Sequence, residues 1–77
     1  MSPALPVLKP KKVLVALLKA DFFIHHQTGS HVQLRHQFKK NLRITVPRHD
    51  KFDIPRPIIK SILRQAELSV EEFLNLL

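Results

Sequence analysis

The stretch "HVQLRHQFKKNLRITV", His31 to Val46, decides how this chain is built. Its opening run "HVQLRH" sets Val32 and Leu34 on one side and His31, Gln33 and Arg35 on the other. Its closing run "LRITV" repeats the alternation, Leu42, Ile44 and Val46 against Arg43 and Thr45. A period of two marks a strand with one buried face. The link "QFKKN" has hairpin length. Pro47 has no N–H to give a ladder and ends the second run. The stretch therefore predicts two antiparallel strands, over 31–36 and 42–46.

Upstream, "FFIHHQ" (22–27) reads as a third strand, with Phe22 and Ile24 on one face. "TGS" joins it to the next at hairpin length, so the three form an antiparallel meander. His25 and His26, as neighbours on a strand, should face opposite sides and make a poor metal pair. Before them, Val13, Leu14, Leu17 and Leu18 recur at helical spacing, with Lys11, Lys12 and Lys19 off the stripe. Pro10 suits a first helical turn, so the first helix should span about 10–20. Asp21 follows where a left-handed terminating residue is common. Residues 1–9 hold two prolines and no period and read as a loose, flexible N-terminal tail.

Downstream, "RHDKFDIPR" reads as a loop and Pro57 as the opening of a second helix. Ile58, Ile59, Ile62, Leu63 and Ala66 form its stripe. "SVEE" is a capping box, Ser69 at N-cap and Glu72 at N3, for a short last helix whose stripe is Val70, Phe73, Leu74 and Leu77. The fold class is α+β, in the order α-β-β-β-α-α, with helices on one sheet face. Residues 10–77 make one domain.

Composition narrows the function. The chain has 77 residues, and 13 Lys and Arg against 6 Asp and Glu give it a net charge of +7. Such an excess on a small domain suits a polyanion, nucleic acid being the commonest, and would also suit an acidic protein. There is no cysteine, which excludes disulfides and thiolate zinc sites and fits a reducing compartment, the cytoplasm. No apolar run is long enough to cross a membrane, and the start has no secretory pattern.

Meander topology sorts the histidines. The start of the second strand and the end of the third share one end of the sheet, which gathers Gly29, Ser30 and His31 with Arg48 and His49. His36 falls at the other end, about 17 Å away. Histidine serves as acid or base near neutral pH, and an arginine beside it stabilises developing negative charge. That is the equipment for cleaving RNA through its own 2′-hydroxyl, without a metal or other cofactor. Gly29 and Ser30 would let a phosphate approach the backbone N–H groups of the turn.

Duller readings stand beside these. Gly29 would supply a positive φ in a hairpin turn, His31 would be a surface residue, and His49 a loop residue bonded to backbone. Lys39 and Lys40 would be a solvated hairpin tip. A zinc site from His31 and His49 lacks a third ligand other than Asp50. Lys11, Lys12, Lys39, Lys40 and Arg43 would lend salt-dependent RNA affinity as a spread patch. A non-catalytic double-stranded-RNA-binding module shares this charge and fold, and a purely structural interaction protein is a third reading.

The pieces "KVLVALLKADFF", "QTGSH", "ITVPRH" and "IKSILRQAELSVEEFLNLL" occur in this order from about Lys11 to Leu77. So arranged, the chain resembles the HicA (YcfA-like) family of small ribonuclease toxins of bacterial type II toxin–antitoxin pairs. The resemblance implies a double-stranded-RNA-binding-domain-like fold and ribosome-independent mRNA cleavage. It implies His31, in Gly-Ser-His, as the catalytic histidine, and inhibition by a HicB-type antitoxin that covers the site. Pro47 and His49 match the family's Pro-x-His. The chain departs from the family at Asp21 and Glu67, often glycine at those helix ends, and at Val32 after the motif histidine.

Overall fold

The computed structural model describes residues 4–77. The helix α1 (Pro10–Lys19) leads into β1 (Phe22–Gln27), β2 (His31–His36) and β3 (Arg43–Pro47), followed by α2 (Arg56–Ala66) and α3 (Val70–Leu74). The strands form one antiparallel sheet in the order β1-β2-β3, with β2 at the centre. This is the α+β order that the alternation predicts, and it is consistent with the double-stranded-RNA-binding-domain-like fold that the resemblance implies.

The pairing explains the core. Val32 lies opposite Val46, and Leu34 opposite Ile44, all four buried. They meet Val13 and Leu17 of α1, Ile59 and Ile62 of α2, and Phe73 of α3 in one cluster. Fully burying such a side chain is worth about 1.5–3 kcal/mol, so this one face carries most of the stability. The other face, bearing His31, Gln33, Arg43 and Thr45, is open to solvent. Along the outer edge of β3, the Thr45 N–H donates to the Gln65 side-chain oxygen at 3.1 Å, so α2 caps a ladder position that would otherwise be free.

Helix ends follow local chemistry. Asp21 and Glu67 adopt positive φ, 71° and 56°, the left-handed stops expected where the family often has glycine. Ser69 and Glu72 complete the capping box, Ser69 Oγ accepting from Glu72 N–H at 3.0 Å and Glu72 Oε1 from Ser69 N–H at 2.9 Å.

Four expectations shift. α1 buries Ala16 rather than Leu18, which is 45% exposed. α2 begins one residue early, at Arg56, and leaves Ile58 exposed, its stripe running through Ile59, Ile62, Leu63 and Ala66. The segment read as a loose tail is packed from Leu5 onward. Leu5 is buried and its carbonyl accepts from Arg56 Nε at 2.6 Å, while the Ile54 N–H donates to the Leu8 carbonyl at 2.7 Å. Single anchor points of this kind leave no period to read; residues 1–3 of that segment lie outside the described residues.

The fourth shift is in β1. Its register slips between Ile24 and His26, a β-bulge that leaves His25 without a partner and sets His26 opposite Gln33. His26 thereby shares the open face with Gln33, and His25 lines a depression with Gln33 and Arg35. The two adjacent histidines do not face opposite sides as a regular strand requires. Ile24, opposite Leu34, stays 42% exposed, because the helices cover β2 and β3 more fully than this edge.

Candidate active site

The connection from β1 to β2 is a two-residue turn, Gly29 and Ser30. Thr28 and His31 close it: the Thr28 N–H donates to the His31 carbonyl at 2.9 Å, and the His31 N–H donates to Thr28 Oγ1 at 3.2 Å. Among the described residues, neither the Gly29 nor the Ser30 N–H reaches a protein acceptor. The turn thus presents two free donors beside an exposed imidazole, and successive free N–H groups are what an anion requires.

Gly29 itself does not have positive φ. A Cβ at this position would meet nothing within 4 Å. Neither the turn's backbone nor internal packing demands a glycine here, so the simple turn explanation fails. The missing side chain leaves surface room next to His31.

Two contacts assemble the rest. His31 pairs with Pro47 across the sheet, and the Arg48 N–H donates to the Ser30 carbonyl at 2.8 Å. The loop after β3 is therefore held against the turn before β2. Ser30 Oγ lies 3.0 Å from His31 Nδ1, close enough to orient the ring and leave Nε2 facing out. Arg48 is half-buried, and its Nε donates to Asp50 Oδ1 at 3.1 Å. His49 follows in the same loop, exposed.

Gly29, Ser30, His31 and Arg48 thus come together as their places in the meander predict, with His49 next in the chain. The lysines do not join them. Lys11 and Lys12 are on α1, within the helical layer, and Lys39 and Lys40 are in the β2–β3 connection at the opposite sheet end. Lys39 is close enough to Glu72 to help lower its pKa. Arg43 is on the open face, directly opposite Arg35 and away from His31.

His36 has structural work. Its Nδ1 accepts from the Phe38 and Lys39 N–H groups, both at 3.0 Å, and its ring stands edge-on to Phe22 at 4.8 Å. Accepting two backbone bonds makes this ring an anchor of the turn after β2.

Sequence reasoning passed over Phe52, which is 69% exposed in the loop after β3. Its N–H donates to the His49 carbonyl at 2.9 Å, bringing it back beside His49. A lone aromatic in "RHDKFDIPR" carries no period, so only the turn reveals its place. Among the described residues, no three His, Asp or Glu side chains converge as a metal site, and no helix is long and apolar enough to cross a membrane.

The model of the family "HicA toxin of bacterial toxin-antitoxin" matches residues 10–68, which include every strand, α1, α2 and the whole of this turn-and-loop arrangement. Fold and matched span define the chain as the toxin component of a bacterial toxin–antitoxin system, with an antitoxin as partner. It belongs to the HicA toxin family. No curated protein matches it.

Proposed function

We propose that this toxin is a metal-independent RNA endonuclease that cleaves mRNA in the cytoplasm, off the ribosome, with His31 in the proton transfers and a HicB-type antitoxin covering the site. The observation that carries the reading is the union of an exposed, Ser30-oriented imidazole with two free backbone N–H groups and a tethered arginine.

In the reaction a base removes the proton of a ribose 2′-hydroxyl, and the oxygen attacks the adjacent phosphorus. The bond from phosphorus to the 5′-oxygen breaks, an acid protonates that oxygen, and the products are a 2′,3′-cyclic phosphate and a 5′-hydroxyl end. His31 serves as base or acid, a contribution of about 10²–10⁴-fold. Arg48 and the Gly29 and Ser30 N–H groups hold the phosphate and balance its added charge. His49 is close enough in the chain to contact the same phosphate. The spread lysines add affinity that falls with salt.

Labelled RNA incubated with pure protein in EDTA-treated buffer tests this. Wild type generates new ends and His31→Ala generates none, while its far-UV spectrum and thermal midpoint stay unchanged. Full cleavage by His31→Ala removes that residue from the mechanism. Binding without new ends by wild type leaves a non-catalytic RNA-binding module.

A further inference from the structure

The open sheet face is built in cross-strand rows. His31 pairs with Pro47 at one end, Gln33 with His26 and Thr45 in the middle, and Arg35 with Phe23 and Arg43 at the other. The last row sets two guanidinium groups directly opposite each other, Cβ atoms about 4.5–5.5 Å apart, an arrangement that disfavours folding. No strand carries a carboxylate. The ion pairs of the described residues are Lys9–Asp53 and Arg48–Asp50, so neither Arg35 nor Arg43 is neutralised within the protein.

Beside this row is a depression of about 230 Å³ whose polar lining is His25, Gln33, Arg35, Arg43 and Thr45, with the strand positions Leu34 and Ile44 between them. The β1 bulge turns His25 into it. Its side-chain lining is rich in donors and holds no acid, which suits an anionic, hydrogen-bond-accepting group. Phe23, 39% exposed and paired with Arg35, adds an aromatic ring to the same cross-strand row.

We infer that Arg35 and Arg43 form a second phosphate subsite, so that single-stranded RNA runs along the outer face of β2 from His31 to this row. The inference rests on the proposed RNA cleavage and extends it to the substrate's path. Arg35 is four residues from His31 on one strand, about 13 Å, which an extended strand covers in a few nucleotide steps. Arginine grips phosphate in a bidentate fork, and bases splayed from a single strand stack on aromatic rings as paired ones do not.

The test is fluorescence anisotropy with uncleavable 2′-O-methyl oligonucleotides, lengthened one residue at a time, and a 2′-O-methyl duplex. Arg35→Gln and Arg43→Gln should each weaken a long single strand about tenfold and lower the salt slope by about 0.7. The control Lys60→Gln/Arg64→Gln, which removes two charges from α2, should do less. Oligonucleotides too short to reach the row should bind wild type and variants alike. Relieving the repulsion should raise the thermal midpoint of each arginine variant by about 1–6 °C.

Arginine variants that bind no worse than the α2 control overturn the subsite. Equal losses for duplex and single strand overturn the single-stranded path. Loss of antitoxin binding with RNA affinity intact gives the face to an acidic protein instead. Wild-type cleavage of unmodified RNA, measured in parallel, separates the two proposals. Cleavage that ignores both arginines removes only the subsite, and arginine-dependent binding without cleavage removes only the nuclease.

Discussion

The backbone N–H of Arg48 donates to the carbonyl oxygen of Ser30 at 2.8 Å, and this bond ties the loop after β3 to the turn that presents His31. The arginine is thereby fixed at its backbone, while its side chain is engaged by Asp50 at 3.1 Å. A phosphate reaching the site competes with that carboxylate for the guanidinium. Asp50→Asn should therefore tighten RNA binding about two- to fivefold, the range of an exposed ion pair. The denaturant midpoint should hardly move, since Asp50 is exposed. Titration at several salt concentrations checks this, and affinity equal to or below wild type would mean that Arg48 does not face the RNA.

Ser30 and His31 are adjacent in sequence, and Ser30 Oγ sits 3.0 Å from His31 Nδ1. Under the proposed cleavage, a hydroxyl there selects the ring orientation that leaves Nε2 for substrate. Ser30→Ala should lower kcat about tenfold, near the net worth of one hydrogen bond, with KM unchanged. Ser30→Thr, which keeps the hydroxyl, should restore most of the loss. Equal activity of all three proteins would leave His31 oriented by other means.

What could be read from the sequence is local. Alternation at Val32, Leu34, Ile44 and Val46 gives the strands their buried face, and Ser69 with Glu72 marks the last helix. The meeting of His31 with Pro47 follows from meander topology, since antiparallel neighbours reverse direction. Other features depend on tertiary contact and leave no local trace. Leu18 continues an apolar stripe but looks outward, because the sheet meets the side of α1 carrying Val13, Ala16 and Leu17. The bulge at His25 belongs to the pairing of β1 with β2, and a strand read by itself alternates without it. Leu5 is buried by packing against the body of the protein, and Phe52 is placed by a turn on His49.

Glu72 holds α3 through its charge. The Ser69 N–H bonded to its carboxylate lowers its pKa below the ordinary value, with help from the Ser69 side chain and the positive charge of Lys39. A carboxylate with a depressed folded-state pKa adds stability above its unfolded value and loses that stability as pH falls through the folded one. Wild type should therefore exceed Glu72→Gln in thermal midpoint near neutral pH. The gap should begin to narrow near pH 4.3, the ordinary glutamate value, and close below it. Midpoints measured from pH 7 to pH 3 check this, and a gap independent of pH would mean that the amide caps as well as the charge does.

Gly29 gives the sharpest separation of stability from function. Its φ is not positive and a Cβ would meet no atom within 4 Å, so alanine fits the folded turn without strain. Alanine also restricts the unfolded chain, so Gly29→Ala should stabilise the protein by about 0.4–1 kcal/mol. If the bare turn exists to admit a phosphate to the Gly29 and Ser30 N–H groups, the added methyl displaces the reacting group. A displacement of about 1 Å can cost about 10² in rate, so cleavage should fall by that order while the thermal midpoint rises. Unchanged cleavage with the same rise would reduce Gly29 to a neutral turn residue and leave the phosphate to Arg48 alone.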